Sequence, residues 1–324
     1  MTATVNPERV LQELAALWES HGKPGGAEPG ETHAGVLRAC TMTLLVAAED
    51  GPDWPALGET VAALMPEHPA RAILIRLTGA GDRAVASRVF SQCWMPFGQH
   101  RQVCCEQVEI AASDAALADL PSVVRPLAVA DLPLILWCRS PRLAGMPEFA
   151  GLAAGAGKVI VDSQSLPLSE VARLAARGTP VGDLAWTRIT RWRETLSQVF
   201  ENRYNLARMA ALTDLSVAHS APMASTALYM AAWIVNALPN LKVALVPDTQ
   251  CDSLRVTLTG PAFRVELERH ADRLVVTVDG LPHCANLPLL DDYSQMREEL
   301  GIVRRDPVFA VALARALQLA YASG

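Results

Sequence analysis

Asp183-Leu184-Ala185-Trp186-Thr187-Arg188-Ile189-Thr190-Arg191-Trp192-Arg193-Glu194 lies just past the middle of the chain, between two regions of different texture. Two tryptophans stand among arginines here, in a chain with only 5% aromatic residues. Continuing to Phe200, the apolar residues Ile189, Trp192, Leu196, Val199 and Phe200 recur at helical spacing and mark one face. Arg188, Arg191, Thr195 and Gln198 fall on the other. The spacing predicts one amphipathic helix, capped by Asp183, whose charge suits the positive end of the helix dipole. Two accounts of Trp186, Arg188, Trp192, Arg193 and Asp183 stand together. They form structural core, as helical aromatic stripes usually do, or they form a protein interface, where Trp and Arg carry much of the binding energy.

Upstream, short apolar runs alternate with helical patterns. Val36 to Ala48, Arg71 to Leu77, Ala86 to Met95, Gln102 to Ala111, Leu134 to Cys138 and Lys158 to Asp162 read as strands. Helices are expected at Trp54 to Met65, Leu117 to Ala128, near Phe149 and at Ser169 to Arg177. Continuous apolar strands separated by helices describe a sheet covered on both faces. Downstream, Met223 to Leu238 lies between Pro222 and Pro239 and reads as a buried helix. It falls short of the roughly 20 residues that span a bilayer. Strands then follow at Leu241 to Val246, Ser253 to Thr259, Phe263 to Arg269 and Arg273 to Val278, with turns at Gly260-Pro261, Ala271-Asp272 and Asp279-Gly280. Val265-Glu266-Leu267-Glu268 alternates as an antiparallel strand with one wet face does. Helices at Asp291 to Leu300 and Pro307 to Tyr321 close the chain.

The fold class is therefore α/β: a mixed α/β domain with a covered sheet, then an α+β domain holding an antiparallel meander and helices. The expected boundaries are 1–35, a helical arm (Glu8 to Ser20) with a Gly- and Pro-rich linker; 36–180, the α/β domain; and 181–324, the α+β domain opening with the Trp/Arg-rich helix. The arm is expected to dock on its own body or on a partner.

A net charge of −6 and a pI near 5.7 argue against a nucleic-acid partner. No basic-then-apolar leader is evident, and no membrane association is expected. Seven cysteines, an odd number with no C-x-x-C pair, predict reduced thiols and a cytoplasmic location.

Candidate chemistry is sparse. Gly79-Ala80-Gly81-Asp82-Arg83-Ala84 matches G-x-G-x-x-A, yet a strand-like segment follows it where a dinucleotide fold needs a helix, so it reads as a hairpin turn. Cys104 and Cys105 invite a redox reading, but neighbours on a strand face opposite sides, and small buried hydrophobes is the plainer account. Glu106 shares a mostly apolar face with Cys104, Val108 and Ile110. It needs an ionic partner, which Arg71, Arg188 or Arg193 could supply. Asp162-Ser163 ends a strand, where open α/β sheets bind ligands, or it is a turn or cap. His68 reads as a bystander. No Walker A loop, nucleophile elbow or metal-ligand spacing is present, so no metal, cofactor or catalytic residue is assigned.

The central stretch closely resembles the sequence of the glucose-6-phosphate dehydrogenase assembly proteins, the OpcA family. His68-Pro69-Ala70-Arg71, Cys104-Cys105-Glu106-Gln107, Ala130-Asp131-Leu132-Pro133 running to Trp137, and Val159-Ile160-Val161-Asp162-Ser163 match in the same order. The resemblance implies a non-catalytic assembly factor or allosteric activator, whose partner is the NADP-dependent glucose-6-phosphate dehydrogenase of the oxidative pentose phosphate pathway. Photosynthetic members are associated with redox control through cysteines, a role that no motif here carries over. The alternative class is a small-molecule module or degenerate enzyme. It would hold a sugar phosphate or nucleotide at Asp162-Ser163, with Arg139 or Lys158 as phosphate contacts.

Overall fold

Residues 5–21, 36–83, 85–96, 102–302 and 304–323 are described by a computed structural model, in which the chain divides into two compact units, 1–161 and 162–324. The first unit runs α1 (Pro7–His21), β1 (Leu37–Arg38), β2 (Met42–Glu49), α2 (Trp54–Leu64), β3 (Ala70–Leu77), β4 (Val85–Trp94), β5 (Val103–Ala112), α3 (Leu120–Leu127), β6 (Leu134–Cys138), α4 (Pro141–Ala144), α5 (Phe149–Ala153) and β7 (Lys158–Val161). Its parallel strands lie in the order β5-β3-β2-β6-β7. After the short edge strand β1, which pairs parallel with β5, the winding starts at β2, builds outward through β3 and β5, then returns to add β6 and β7 on the other side. That reversal makes the sheet doubly wound, with its switch point between β2 and β6. Both faces are covered, so Met42 to Ala48 is buried without alternation.

Several details differ from the sequence expectation. Residues 36–48 are not one strand. The chain breaks at Ala39-Cys40-Thr41, so that β1 pairs with β5 while β2 pairs with β3 and β6. The segment after β3 is not a hairpin turn, because β4 pairs antiparallel with β5 instead of β3. Gly79 does take a left-handed φ of +79°, but the turn feeds a crossover. The disulfide between Cys93 and Cys104 overturns the expectation of uniformly reduced thiols. These two residues face each other across β4 and β5, a pairing that cysteine spacing could not disclose; Cys40, Cys105, Cys138, Cys251 and Cys284 are free. Helix α1 packs on β4 and α3 of its own unit. The linker expected at 22–32 lies outside the described residues, as does most of the turn at Pro96-Phe97-Gly98.

The second unit runs α6 (Leu168–Ala175), β8 (Val181–Asp183), α7 (Leu184–Thr187), α8 (Thr190–Glu201), α9 (Arg203–Arg208), β9 (Asp214–His219), α10 (Ala224–Ala237), β10 (Lys242–Pro247), β11 (Leu254–Gly260), β12 (Phe263–His270), β13 (Arg273–Val278), β14 (Leu281–Asn286), α11 (Asp292–Gly301) and α12 (Pro307–Ser323). Its sheet has the order β10-β9-β11-β12-β13-β14. The pair β9–β10 is parallel and the remainder an antiparallel meander. On β12, Val265 and Leu267 point into the core while Glu266 and Glu268 stay half-exposed. Asp279 and Gly280 carry φ values of 48° and 85°, the left-handed pair that a tight two-residue hairpin requires. Helix α10 packs against α12 and β9. Among the described residues, no helix is long and apolar enough to cross a membrane.

The helix expected from Asp183 to Phe200 is two helices. Ile189 leaves helical geometry at φ −99°, ψ 7°, and α8 starts afresh at Thr190. The break has a packing reason. In one continuous helix, residues six apart such as Trp186 and Trp192 would point about 120° away from each other. Resetting the axis buries both, each at 3% exposure. Strands β9 and β14 are also additions to the sequence reading. Leu215, Val217 and His219 of β9 alternate inward, but they merge with the apolar run of α10 when read linearly.

Gly260 ends β11 where an added Cβ would lie 2.3 Å from the Ala211 carbonyl oxygen. Because a main-chain atom must move, Gly260→Ala is expected to cost about 1–3 kcal/mol, read as a lowered urea midpoint at constant m-value. An unchanged midpoint would contradict this packing.

Candidate functional site

The stretch that dominates the sequence becomes the junction of the second unit. Asp183 ends β8, is fully buried, and its carboxylate gathers three donors from separate elements. Oδ1 accepts from the backbone N–H of Ala185 at 3.0 Å, capping α7, and from that of Ser163 at 2.9 Å. Oδ2 accepts from the Tyr229 hydroxyl of α10 at 2.7 Å. Burial disfavours the charged form more than these donors favour it, so the carboxyl is raised from 3.8 to about 6. The Tyr229 phenol, buried away from water and beside this carboxylate, is raised well above its ordinary value. Sequence reasoning missed Tyr229. A hydroxyl inside an otherwise uncharged, buried helix was the available signal, since buried tyrosines seek a polar partner.

Around this centre the other singled-out residues are tied inward. Arg188 grips Asp162 with both terminal nitrogens, at 2.8 and 2.6 Å, while Asp162 Oδ1 also accepts from Gln164 N. Trp186 donates to Asp306 Oδ2 at 3.2 Å and meets Tyr229 and Phe309 with ring centroids 5.9 and 6.0 Å apart. The Arg193 guanidinium lies 3.6 Å over the Trp186 ring, a cation–π contact, and donates to Thr190 Oγ1 at 3.0 Å. Thr187 and Thr190 in turn donate to Glu299 and Glu298 of α11, at 2.6 and 2.5 Å. Ser163 gives its carbonyl to Ser225 Oγ at 2.7 Å, and its own hydroxyl is buried without a hydrogen-bond partner. The arrangement is structural chemistry: it fixes helix entries and presents no nucleophile with an adjacent base.

The first unit contains a second network. Register sets Arg71 beside Glu106 across β3 and β5, joined at 2.5 Å, with Arg71 also donating to the Leu127 carbonyl at 2.7 Å. Glu106 Oε1 accepts from Arg38 at 2.6 Å and from the Trp18 indole of α1 at 2.5 Å. Arg188 and Arg193 take no part. Across β5, Glu109 accepts from the Trp54 indole at 2.6 Å and pairs with Arg88. Cys104 is held in the disulfide. Cys105 is a buried thiol donating to the Ala39 carbonyl, raised to about 11 by desolvation, which is the behaviour of a core residue.

A recess of about 490 Å³ lies in the second unit between α8–α9 and the β13–β14 hairpin. Its cation, Arg208, is already engaged by Asp279 at 2.5 Å. No group of three or more His, Cys, Asp or Glu that could hold a metal ion occurs among the described residues.

Residues 61–177 match the family model described as the glucose-6-phosphate dehydrogenase subunit N-terminal domain, and 179–313 match the model of its C-terminal domain. Over 307 residues the chain is 25% identical to the OxPP cycle protein OpcA of Synechococcus elongatus, covering 85% of this chain and 67% of that protein. With the OpcA of Nostoc punctiforme it shares 26% identity over 193 residues, 57% of this chain and 40% of that protein. The match to the Synechocystis OpcA likewise spans 39% of that relative's length, at 23% identity over 56% of this chain. Among solved structures, an NAD binding oxidoreductase from Klebsiella pneumoniae aligns with a TM-score of 0.51 at 10% identity, covering 86% of this chain and 95% of that one. A super-repressor mutant of Gal80p from Saccharomyces cerevisiae aligns at 0.52 and 8% identity, covering 88% and 94%. At such identities the likeness is one of fold.

The Asp183 cluster yields a signed pH prediction. Its folded value of about 6 lies above the ordinary 3.8, so its stabilising effect is complete below pH 3.8 and is lost as pH rises through 6. The difference corresponds to about 3 kcal/mol. Relative to Asp183→Asn, which cannot titrate, the natural protein should therefore gain up to that amount between pH 7 and pH 4 in paired urea denaturations. Parallel profiles for the two proteins would contradict the assignment.

Proposed function

We propose, because this chain belongs to the OpcA family of glucose-6-phosphate dehydrogenase subunits, that it is a non-catalytic partner of that enzyme, assisting its assembly or tuning its activity. The observation that carries the reading is the pair of consecutive family matches, 61–177 and 179–313, which together cover most of the chain and nearly all of the second unit. The site geometry agrees with a binding role. The chemically rich residues singled out in the sequence are engaged in holding the fold.

A partner of this kind acts thermodynamically. It shifts the dehydrogenase toward one assembly only by its difference in affinity for the two states, and a coupling of about 1–3 kcal/mol alters the enzyme's affinities or assembly by roughly 5- to 150-fold. Trp186 and Trp192 serve this indirectly, since both are buried; they keep the surface around α7 and α8 in one shape. The Asp162-Ser163 edge gives the small-molecule alternative little support, because the Asp162 carboxylate is held by Arg188 and Lys158 is 2% exposed.

Mixing this protein with glucose-6-phosphate dehydrogenase from the same organism should give co-elution in size-exclusion chromatography together with a change in rate or oligomeric state. Absence of both a complex and any effect, with each protein folded, would contradict the reading.

A further inference from the structure

A doubly wound sheet with this strand order holds dinucleotides at the carboxyl ends of the strands flanking its switch point, here β2 and β6. From the residues that occupy this place, we infer that the crevice is a structural clamp centred on Arg142 and not a dinucleotide site. The inference concerns the first unit alone and does not depend on the partner assigned above.

The turn that follows β2 is the one that should cradle a pyrophosphate. It should be glycine-rich and should deliver free amides from the start of the next helix. It reads Glu49-Asp50-Gly51-Pro52-Asp53-Trp54-Pro55. At the start of α2, Trp54 N donates to the Gly51 carbonyl at 3.1 Å and Leu57 N donates to that of Asp53 at 3.0 Å. Pro55 has no N–H at all. Of the amides that a helix start offers an anion, that of Trp54 is thus engaged and that of Pro55 is missing. Glu49, Asp50 and Asp53 place carboxylates where a pyrophosphate would bring like charge. The G-x-G-x-x-A match at residues 79–84 follows β3, the second strand of the winding, and so cannot serve in that position. Strand β3 ends at Leu77, neither Leu77 nor the following Thr78-Gly79 carries a carboxylate to take a ribose hydroxyl, and Thr78 N donates to the Ala112 carbonyl at 2.9 Å.

Arg142, a cation at this edge, is committed as well. Arg142, on α4 directly after β6, donates from Nε and Nη2 to Glu49 at 3.2 and 2.9 Å and from Nη1 to Asp114 at 2.6 Å. Ser140 Oγ donates to Glu49 and accepts from Leu143 N at 2.9 Å, capping α4. Asp114 N donates to the Gly79 carbonyl at 2.9 Å, which brings the segment after β3 into the same cluster. One guanidinium therefore links the carboxyl ends of β2, β5 and β6, the edge that the cofactor would have spanned.

The test has two arms, both on the full chain. Isothermal titration with NADP, NADPH and NAD to millimolar concentration should give no saturable heat, and the same compounds should leave the melting temperature unchanged. Saturable binding of any of them, with a Kd below about 0.1 mM, would overturn the inference. In the second arm, Arg142→Ala should lower the melting temperature by about 2–4 °C, and Glu49→Gln should lower it by less, because it keeps the shape and one acceptor. An unchanged melting temperature in both variants would overturn the clamp. Neither arm touches association with the dehydrogenase, which is read separately by co-elution.

Discussion

One buried carboxylate organises the second unit. Asp183 sits where β8 becomes α7, and its two oxygens collect an amide from the Ser163 turn, an amide from the first turn of α7 and a phenol from α10. Each donor would be unpaired if the carboxylate were removed, and an unpaired buried donor costs about 1–3 kcal/mol. The protein holds this acid despite a desolvation penalty large enough to raise its titration point to about 6. Such a group favours one arrangement over its alternatives: only one placement of α7 against α10 satisfies all three donors. Trp186, packed against Tyr229 and Phe309 and covered by Arg193, follows from that placement.

The fold by itself does not decide what the protein does. The same architecture is found in an NAD binding oxidoreductase and in a super-repressor form of Gal80p, and function has to be argued from sites. In this chain the places where chemistry would be sought are engaged structurally. Arg188 is closed on Asp162, Arg71 and Arg38 on Glu106, and Arg142 on Glu49 and Asp114.

Much of this was legible in the sequence, and the omissions have identifiable causes. Continuous apolar runs such as Met42 to Ala48 and the alternation Val265-Glu266-Leu267-Glu268 located most strands, because burial on two faces or on one leaves distinct periods. The need of Glu106 for an arginine was readable from its apolar face, whereas the contributions of Arg38 and Trp18 depended on which strand and helix lie alongside β5. The Cys93–Cys104 bond was invisible for the same reason: register, not spacing, brings the two together. The break at Ile189 escaped notice because linear periodicity assumes a continuous helix, while both tryptophans are buried. Strand β14, with Leu281, Pro282, His283 and Cys284 all exposed, has no buried face to produce a pattern; its pairing with β13 alone defines it.

The central claim is that Asp183 couples elements distant in sequence into one cooperative body, and hydrogen exchange on the full chain with Asp183→Ala tests it most directly. Local opening free energies are read amide by amide. The account predicts that protection falls together across the Ser163 turn, α7 and α10. A loss restricted to Ala185 and its immediate neighbours, with α10 as protected as in the natural protein, would mean that Asp183 is merely the cap of one short helix.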